Sequence, residues 1–246
     1  MAREEPLEIR VRGRSLAVTM RTPGHDPELA VGFLVGEGVL REPAQVVAVG
    51  HGLAGDAENP GNLLNVFLAP DVEVDLERLT RHVYASSSCG LCGKASIEAV
   101  QQHFPPLTAP FALGVGLLLS LPDKLRAAQV AFAQTGGLHA AALFNAAGRL
   151  VVVREDVGRH NAVDKVVGHA FRGGAWPLAD HVLLVSGRAS FEIMQKALAA
   201  RIPVVAAISA PSSLAVVFAR ESGQALVGFL RGQSLNVYAH PERVLD

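Results

Sequence analysis

Two cysteines, Cys89 and Cys92, are the only thiols in a chain of 246 residues, and they stand three positions apart in Ser86-Ser87-Ser88-Cys89-Gly90-Leu91-Cys92-Gly93-Lys94. A Cys-x-x-Cys spacing suits a redox pair, a metal clip or a carrier of sulfane sulfur, because in each the thiolate is the working form. Small polar residues before the pair and a helix-like run after it, residues 94–103, place it at a loop-to-helix junction. Unpaired backbone N–H groups at a helix start favour thiolate over thiol. Gly90 and Gly93 keep the backbone open around the sulfurs and speak against two buried, inert cysteines. The spacing by itself leaves the three chemistries open.

Further chemistry collects in three polar, glycine-bearing segments, each following a strand-like run and opening a helix-like one. They are Glu155-Asp156-Val157-Gly158-Arg159-His160-Asn161, Ser186-Gly187-Arg188-Ala189-Ser190 and Ser209-Ala210-Pro211-Ser212-Ser213. Helix N-termini bearing Ser and Gly N–H groups bind anions, and Arg159, Lys165 and Arg188 add positive charge beside them. A phosphate-bearing ligand is the expected occupant. If it carries guanine, whose N1–H and exocyclic amine need a carboxylate, Asp156 and Asp164 are the candidates. The bland alternatives are Ser186, Ser190, Ser209 and Ser212 as helix caps and Arg159 and Arg188 as members of surface ion pairs with Asp156 or Glu192. His139, in Thr135-Gly136-Gly137-Leu138-His139-Ala140, is either a packed strand residue or a proton carrier that titrates near neutrality. Zinc is not expected. The deaminase signature sets a His-x-Glu ahead of Pro-Cys-x-x-Cys, whereas Cys89 follows Ser88. A thioredoxin-type site is disfavoured as well, since no early βαβ strand precedes the pair and Ser88 stands where the usual aromatic would precede the first cysteine.

The elements that must position these groups are legible from hydrophobic period. Leu7, Ile9 and Val11 alternate with polar residues, as do Leu16, Val18 and Met20 beyond Gly13, which predicts an opening β-hairpin. Asp26-Pro27-Glu28 predicts a helix with Asp26 as N-cap, ended by Gly36 and Gly38. Strands are expected at 46–49 and 63–68, so residues 1–82 form a small α+β unit. Residues 83–246 then show helices at 94–103 and 122–134, strands at 138–144 and 150–154 joined by Asn145-Ala146-Ala147-Gly148, and a helix at 161–171. A strand at 181–186, a helix at 191–200, a strand at 204–209, a helix at 213–221 and a strand at 226–230 follow. Alternation with continuous apolar strands predicts a largely parallel sheet covered on both faces, with ligands beyond the carboxyl ends of its strands.

Half of the residues are hydrophobic and the net charge is −1, so the chain can bury a large core and shows no bulk attraction for nucleic acid or anionic membrane. The apolar run 111–121 is about half of the roughly 20 residues that span a bilayer. The N-terminal residues lack the apolar core of a secretory signal, so a cytoplasmic protein is expected, in a compartment that keeps thiols reduced.

The segments already named, together with Thr135-Gly136-Gly137-Leu138-His139-Ala140-Ala141, Asn161-Ala162-Val163-Asp164-Lys165 and Gly228-Phe229-Leu230-Arg231-Gly232, resemble the FdhD family of sulfur carriers required for active formate dehydrogenase. They span most of the chain in the family's order. The resemblance implies a cytidine-deaminase-like three-layer α/β/α domain, without zinc chemistry, behind the small N-terminal α+β unit. It implies that a cysteine desulfurase passes sulfur to Cys89 as a persulfide; Cys92, close enough to attack that persulfide, and His139, as a proton carrier, are expected to assist. The sulfur then moves to molybdenum held by two guanine-dinucleotide pterins, before that cofactor enters the catalytic subunit of formate dehydrogenase. Cofactor contacts are expected from Asp156, Arg159, His160, Asp164, Lys165, Ser186, Arg188 and Ser209 and from Phe229, Leu230, Arg231, Gly232, Gln233 and Ser234. GDP should mimic part of the cofactor, and a homodimer is expected. Two other classes stay open at this point: a chaperone that only shelters the cofactor, and a zinc-dependent hydrolase on the deaminase fold.

Overall fold

The computed structural model describes residues 1–52, 59–74 and 104–246. The opening hairpin forms as expected, with β1 (Glu5–Val11) antiparallel to β2 (Arg14–Arg21). β4 (Leu63–Leu68) lies parallel to β1, and β3 (Val46–His51) closes a four-stranded sheet in the order β2-β1-β4-β3. The alternating Leu7, Ile9 and Val11 are buried on one face of this sheet.

The first helix, α1 (Asp26–Gly36), packs against β4 and against α4 (Arg159–Arg172). It is apolar nearly all round, as a helix enclosed between neighbours should be. Its start differs from expectation by one position. Asp26 is the first helical residue and His25, with φ 60°, takes the capping position. The Asp26 carboxylate instead receives two N–H groups of the buried Arg21 at 3.1 and 2.9 Å, and a charge-assisted pair outweighs one neutral cap bond. Two glycines set how closely the helices approach. A Cβ at Gly32 would lie 1.8 Å from the Asp164 carbonyl oxygen, and one at Gly168 would lie 1.8 Å from that of Glu28.

The larger sheet has six strands in the order β11-β10-β9-β8-β6-β7. They are β6 (His139–Asn145), β7 (Leu150–Asp156), β8 (His181–Val185), β9 (Val204–Ala207), β10 (Ala225–Arg231) and β11 (Ser234–Ala239). Side chains alternate between two cores. Ala141, Leu143, Leu183, Val185 and Val205 face the layer of α4, α5 (Phe191–Ala199) and α6 (Ser213–Ser222). Ala142, Phe144, Val182, Leu184 and Val204 face α2 (Val115–Ala128), completing an α/β/α sandwich. A short β5 (Leu113–Gly114) pairs with β12 (Val244–Leu245).

The expectation of a largely parallel sheet needs correction. Only β8–β9 and β9–β10 are hydrogen-bonded parallel pairs, while β6 is antiparallel to both β7 and β8. The turn after β6 is too short for a crossover: Asn145 accepts the N–H groups of Ala147 and Arg149 and sends the chain straight back. Even so, β7, β8, β9 and β10 point the same way, because β6 reverses direction between two of them.

The helix expected at 122–134 is two helices, α2 and α3 (Val130–Thr135), broken at Gln129. α2 starts earlier because the apolar run is its buried stripe, Leu118, Leu121 and Leu125 all facing the sheet. α3 is fixed from a distance, since the Glu155 carboxylate accepts the N–H groups of Ala131 at 2.8 Å and Phe132 at 2.7 Å. Among the described residues, no helix is long and apolar enough to cross a membrane. The expected boundary at 82–83 and the helix at 94–103 lie outside the described residues.

Candidate functional site

One edge of the six-stranded sheet collects the chemistry. The ends of β7, β8, β9 and β10 meet there with the starts of β6 and β11, so that His139 lies opposite Asp156 and Arg231 opposite Ser234. The three segments read from the sequence converge on this edge. The His160 imidazole Nε2 lies 3.0 Å from Ser190 Oγ, Ala189 bridges Pro211, and Ser212 N–H donates to the Ala189 carbonyl at 2.9 Å. Gly187 packs at the His139 ring and the Arg159 side chain, so that an added Cβ would sit 3.3 Å from His139 Nδ1.

A cleft of about 610 Å³ opens beside this edge. His139, Ser186, Arg231 and Gly232 form the sheet side of its lining, and α2 and α3 form the other with Asp123, Arg126, Gln129 and Phe132. The size suits a cofactor-scale ligand. His139 is half-buried, and burial, followed by the positive charges of Arg159, His160 and Arg188, holds its imidazole below the ordinary 6.5. Near neutrality it is therefore an uncharged proton acceptor, not a cation. Arg188 is exposed with no partner among the described residues, and Arg159 Nε is buried without a hydrogen bond. Neither arginine makes the surface pair that the bland alternative expected. Glu192 pairs with His160 at 3.0 Å, and that hydrogen bond is the main cause holding the Glu192 carboxyl below its ordinary value.

The serines divide. Ser212 caps α6 by accepting Ala215 N–H. Ser186 Oγ accepts Ala140 N–H at 2.8 Å and so holds the start of β6, while Ser190 makes no cap bond and serves His160. The Ser209 carbonyl accepts Phe229 N–H. Phe229 sits in the left-handed region at φ 51°, within a bulge of the β10–β11 pair, and Arg231 lies over its ring at 5.6 Å. Strained backbone of this kind concentrates at functional sites. Gln233 and Ser234 are exposed in the same hairpin.

Four expected contact residues turn inward. Asp156 is fully buried and accepts from Lys165 Nζ at 2.7 Å, Thr22 N at 3.1 Å, Gly158 N at 2.8 Å and Asn161 Nδ2 at 3.0 Å. Lys165 is equally enclosed and donates to the Thr22 carbonyl. Asp164 is buried against Lys196, with Nζ 2.8 Å from Oδ1. Burial pushes the Asp164 carboxyl up to about 6 against the pull of Lys196. For Lys196, burial pulls downward but Asp164 and Glu37 outweigh it, so its ammonium is raised and the two form an ion pair at neutral pH. Leu230 is fully buried in the core against α2. All four lie beneath the cleft instead of on it, because each is held by the fold's own charges or apolar side chains. Neither carboxylate proposed for guanine has capacity to spare.

Cys89 and Cys92 lie outside the described residues. The lining from α2 and α3 was missed in the sequence, where Arg126, Gln129 and Phe132 fall within the expected helix at 122–134 and belong to no motif. Among the described residues, no group of three or more His, Cys, Asp and Glu side chains could hold a metal. The sequence's His-x-Glu, His240-Pro241-Glu242, follows the cysteines, and its histidine and glutamate side chains bond each other at 2.7 Å.

The family model described as FdhD/NarQ matches residues 2–245. The chain is 58% identical to the sulfur carrier protein FdhD of Streptomyces avermitilis, across 98% of this chain and 87% of that one. It is 55% identical to the protein of the same name from Mycobacterium tuberculosis, across 99% and 91%. A crystal structure described as a formate dehydrogenase accessory protein from Desulfotalea psychrophila superposes with a TM-score of 0.78 at 27% identity, covering 98% of this chain and 90% of the other.

Proposed function

The chain belongs to the FdhD/NarQ family, and from that premise we propose that it is a sulfur carrier for the maturation of formate dehydrogenase. The observation that carries this reading is the match along almost the whole chain to proteins named as sulfur carriers, in a sequence whose only thiols form a Cys-x-x-Cys pair. In the loading step the Cys89 thiolate attacks the outer sulfur of a cysteine desulfurase persulfide. That S–S bond breaks, the desulfurase thiolate leaves, and Cys89 holds the sulfur as its own persulfide. In the delivery step the Cys92 thiolate attacks the inner sulfur of Cys89. A Cys89–Cys92 disulfide forms and the outer sulfur departs as hydrosulfide to the acceptor, after which a cellular thiol reduces the disulfide.

The acceptor in this reading is the molybdenum bis(molybdopterin guanine dinucleotide) cofactor, bound transiently as substrate. The strand-end edge supports it: Arg159, Arg188 and Arg231 supply charge for phosphates beside two helix starts, and neutral His139 can accept the thiol proton during loading or contact a phosphate. The carrier works in the cytoplasm, as a homodimer, between a desulfurase and the catalytic subunit of formate dehydrogenase.

The test is intact-protein mass after incubation with a desulfurase and cysteine. A reductant-labile gain of one sulfur, absent in Cys89→Ala, supports the carrier. Full loading of Cys89→Ala with none in Cys92→Ala reverses the two roles. A Cys89→Ala variant that still matures formate dehydrogenase fully would make the protein a chaperone that shelters the cofactor.

A further inference from the structure

The last two residues of β7 are both carboxylates, and successive side chains of a strand point to opposite faces of the sheet. Asp156 points into the layer of α4, where it accepts N–H groups of Gly158 and Asn161 and pairs with Lys165, fixing the helix start that carries Arg159 and His160. Glu155, opposite Ala140 of β6, points to the other side, and its two oxygens accept the N–H groups of Ala131 at 2.8 Å and Phe132 at 2.7 Å. The helix that it reaches has little of its own to hold it. α3 is six residues long, none of them buried, and Gln129 before it supplies no side-chain cap. A helix this short is marginal without outside support. The Arg126 guanidinium lies 4.7 Å from the centre of the Phe132 ring, but Arg126 is itself exposed. Yet α3 builds the cleft. Phe132 lines it, as do Gly136, which ends the helix at φ 67°, and the short run Gly137-Leu138 that leads to His139. A carboxylate is suited to such a tether, because its two oxygens satisfy two adjacent N–H groups and its charge complements a helix start.

We propose that Glu155 is a positioning residue, which suspends α3 from the end of β7 and thereby sets the wall against which the acceptor is held. It touches neither ligand nor sulfur and acts through α3. The proposal rests on the reading that the cleft receives the acceptor cofactor, and it adds which side chain keeps that cleft in shape.

Glu155→Gln tests this, because it keeps the volume but leaves one acceptor and turns an amide donor toward the second N–H. Hydrogen exchange on the full-length chain, read by mass spectrometry over residues 130–138, reports on α3 without any ligand, and calorimetry with GDP reports on the cleft. The expected result is that exchange in α3 accelerates by about tenfold or more while that of β6 and α4 stays at wild type, and that GDP affinity falls by about fivefold or more. In a Phe132→Leu background, where the α3 wall is already altered, Glu155→Gln should cost less than about twofold further, because the two act along one route. Unchanged exchange in α3 overturns the suspension by Glu155. Faster exchange with wild-type GDP affinity, or losses for the two substitutions that simply add, overturns the positioning role and leaves the cofactor reading standing. A wild type that loads sulfur yet binds no GDP takes the cofactor out of this cleft, and with it the role given to Glu155, even where exchange in α3 responds as expected.

Discussion

Replacing Lys165 by methionine removes one half of a buried ion pair at the base of the candidate site, and the structure allows the consequence to be worked out. Asp156 is fully buried and Lys165 is 1% exposed, with Nζ 2.7 Å from Oδ2. Without the ammonium, the carboxylate keeps three neutral donors, from Thr22, Gly158 and Asn161, but its charge is uncompensated. The Thr22 carbonyl also loses the Lys165 donor at 2.8 Å. Breaking such a pair on one side costs about 3–5 kcal/mol. At roughly 2–4 °C per kcal/mol for a chain of this size, the thermal midpoint should fall by roughly 6–20 °C. Asp156→Asn together with Lys165→Met removes the stranded charge and should recover part of the loss. Because neither group reaches the cleft, GDP affinity of Lys165→Met, measured by calorimetry well below the midpoint, should stay within about threefold of wild type. Thermal denaturation followed by circular dichroism gives the first quantity. A variant with an unchanged midpoint and lost GDP binding would refute the reasoning and return Lys165 and Asp156 to direct ligand contact.

Gly168→Ala drives a methyl group into the Glu28 carbonyl at 1.8 Å, so α1 and α4 must separate, and the chain should lose about 3 kcal/mol or more. Urea denaturation at wild-type midpoint would show that the helices are not interlocked there. The Glu28 carboxyl, which burial alone would raise, is held below its ordinary 4.5 by hydrogen bonds from Arg154 and His169. Its stabilisation is present above that value and lost as pH falls through the lower folded-state value, so the stability gap between wild type and Glu28→Gln should shrink on acidification below pH 4.5. A gap that widens there in denaturant titrations contradicts the assignment. Arg188→Gln removes one of the charges that depress His139, so the imidazole should titrate closer to 6.5 in an NMR pH series. A His139 that titrates lower still would place Arg188 elsewhere.

The sequence alone set out most of the elements and where their chemistry gathers. Strict alternation in Leu7-Glu8-Ile9-Arg10-Val11 specifies a strand with one buried face, and the all-round apolar character of Leu29 to Val35 specifies an enclosed helix. Glycine-bearing polar segments after apolar runs specify strand ends, and the Cys-x-x-Cys pair specifies thiol chemistry. A period reports which face is buried, but it carries neither the neighbour nor the direction of a strand. Only the assembled sheet shows that β6 runs against β7 and β8, and that reversal brings His139, at the start of its strand, to the ends of four others. Charge behaves in the same way. Asp156, Asp164 and Lys165 read as ligand contacts in the sequence, and the structure encloses them instead in the Asp156–Lys165 and Asp164–Lys196 pairs, because burying an ionised group depends on a countercharge that local sequence does not supply. The wall bearing Gln129 was hidden for a related reason. The break between α2 and α3 is held by Glu155 from the far side of a hairpin, and a cap made across the sheet leaves no mark in the segment that it caps.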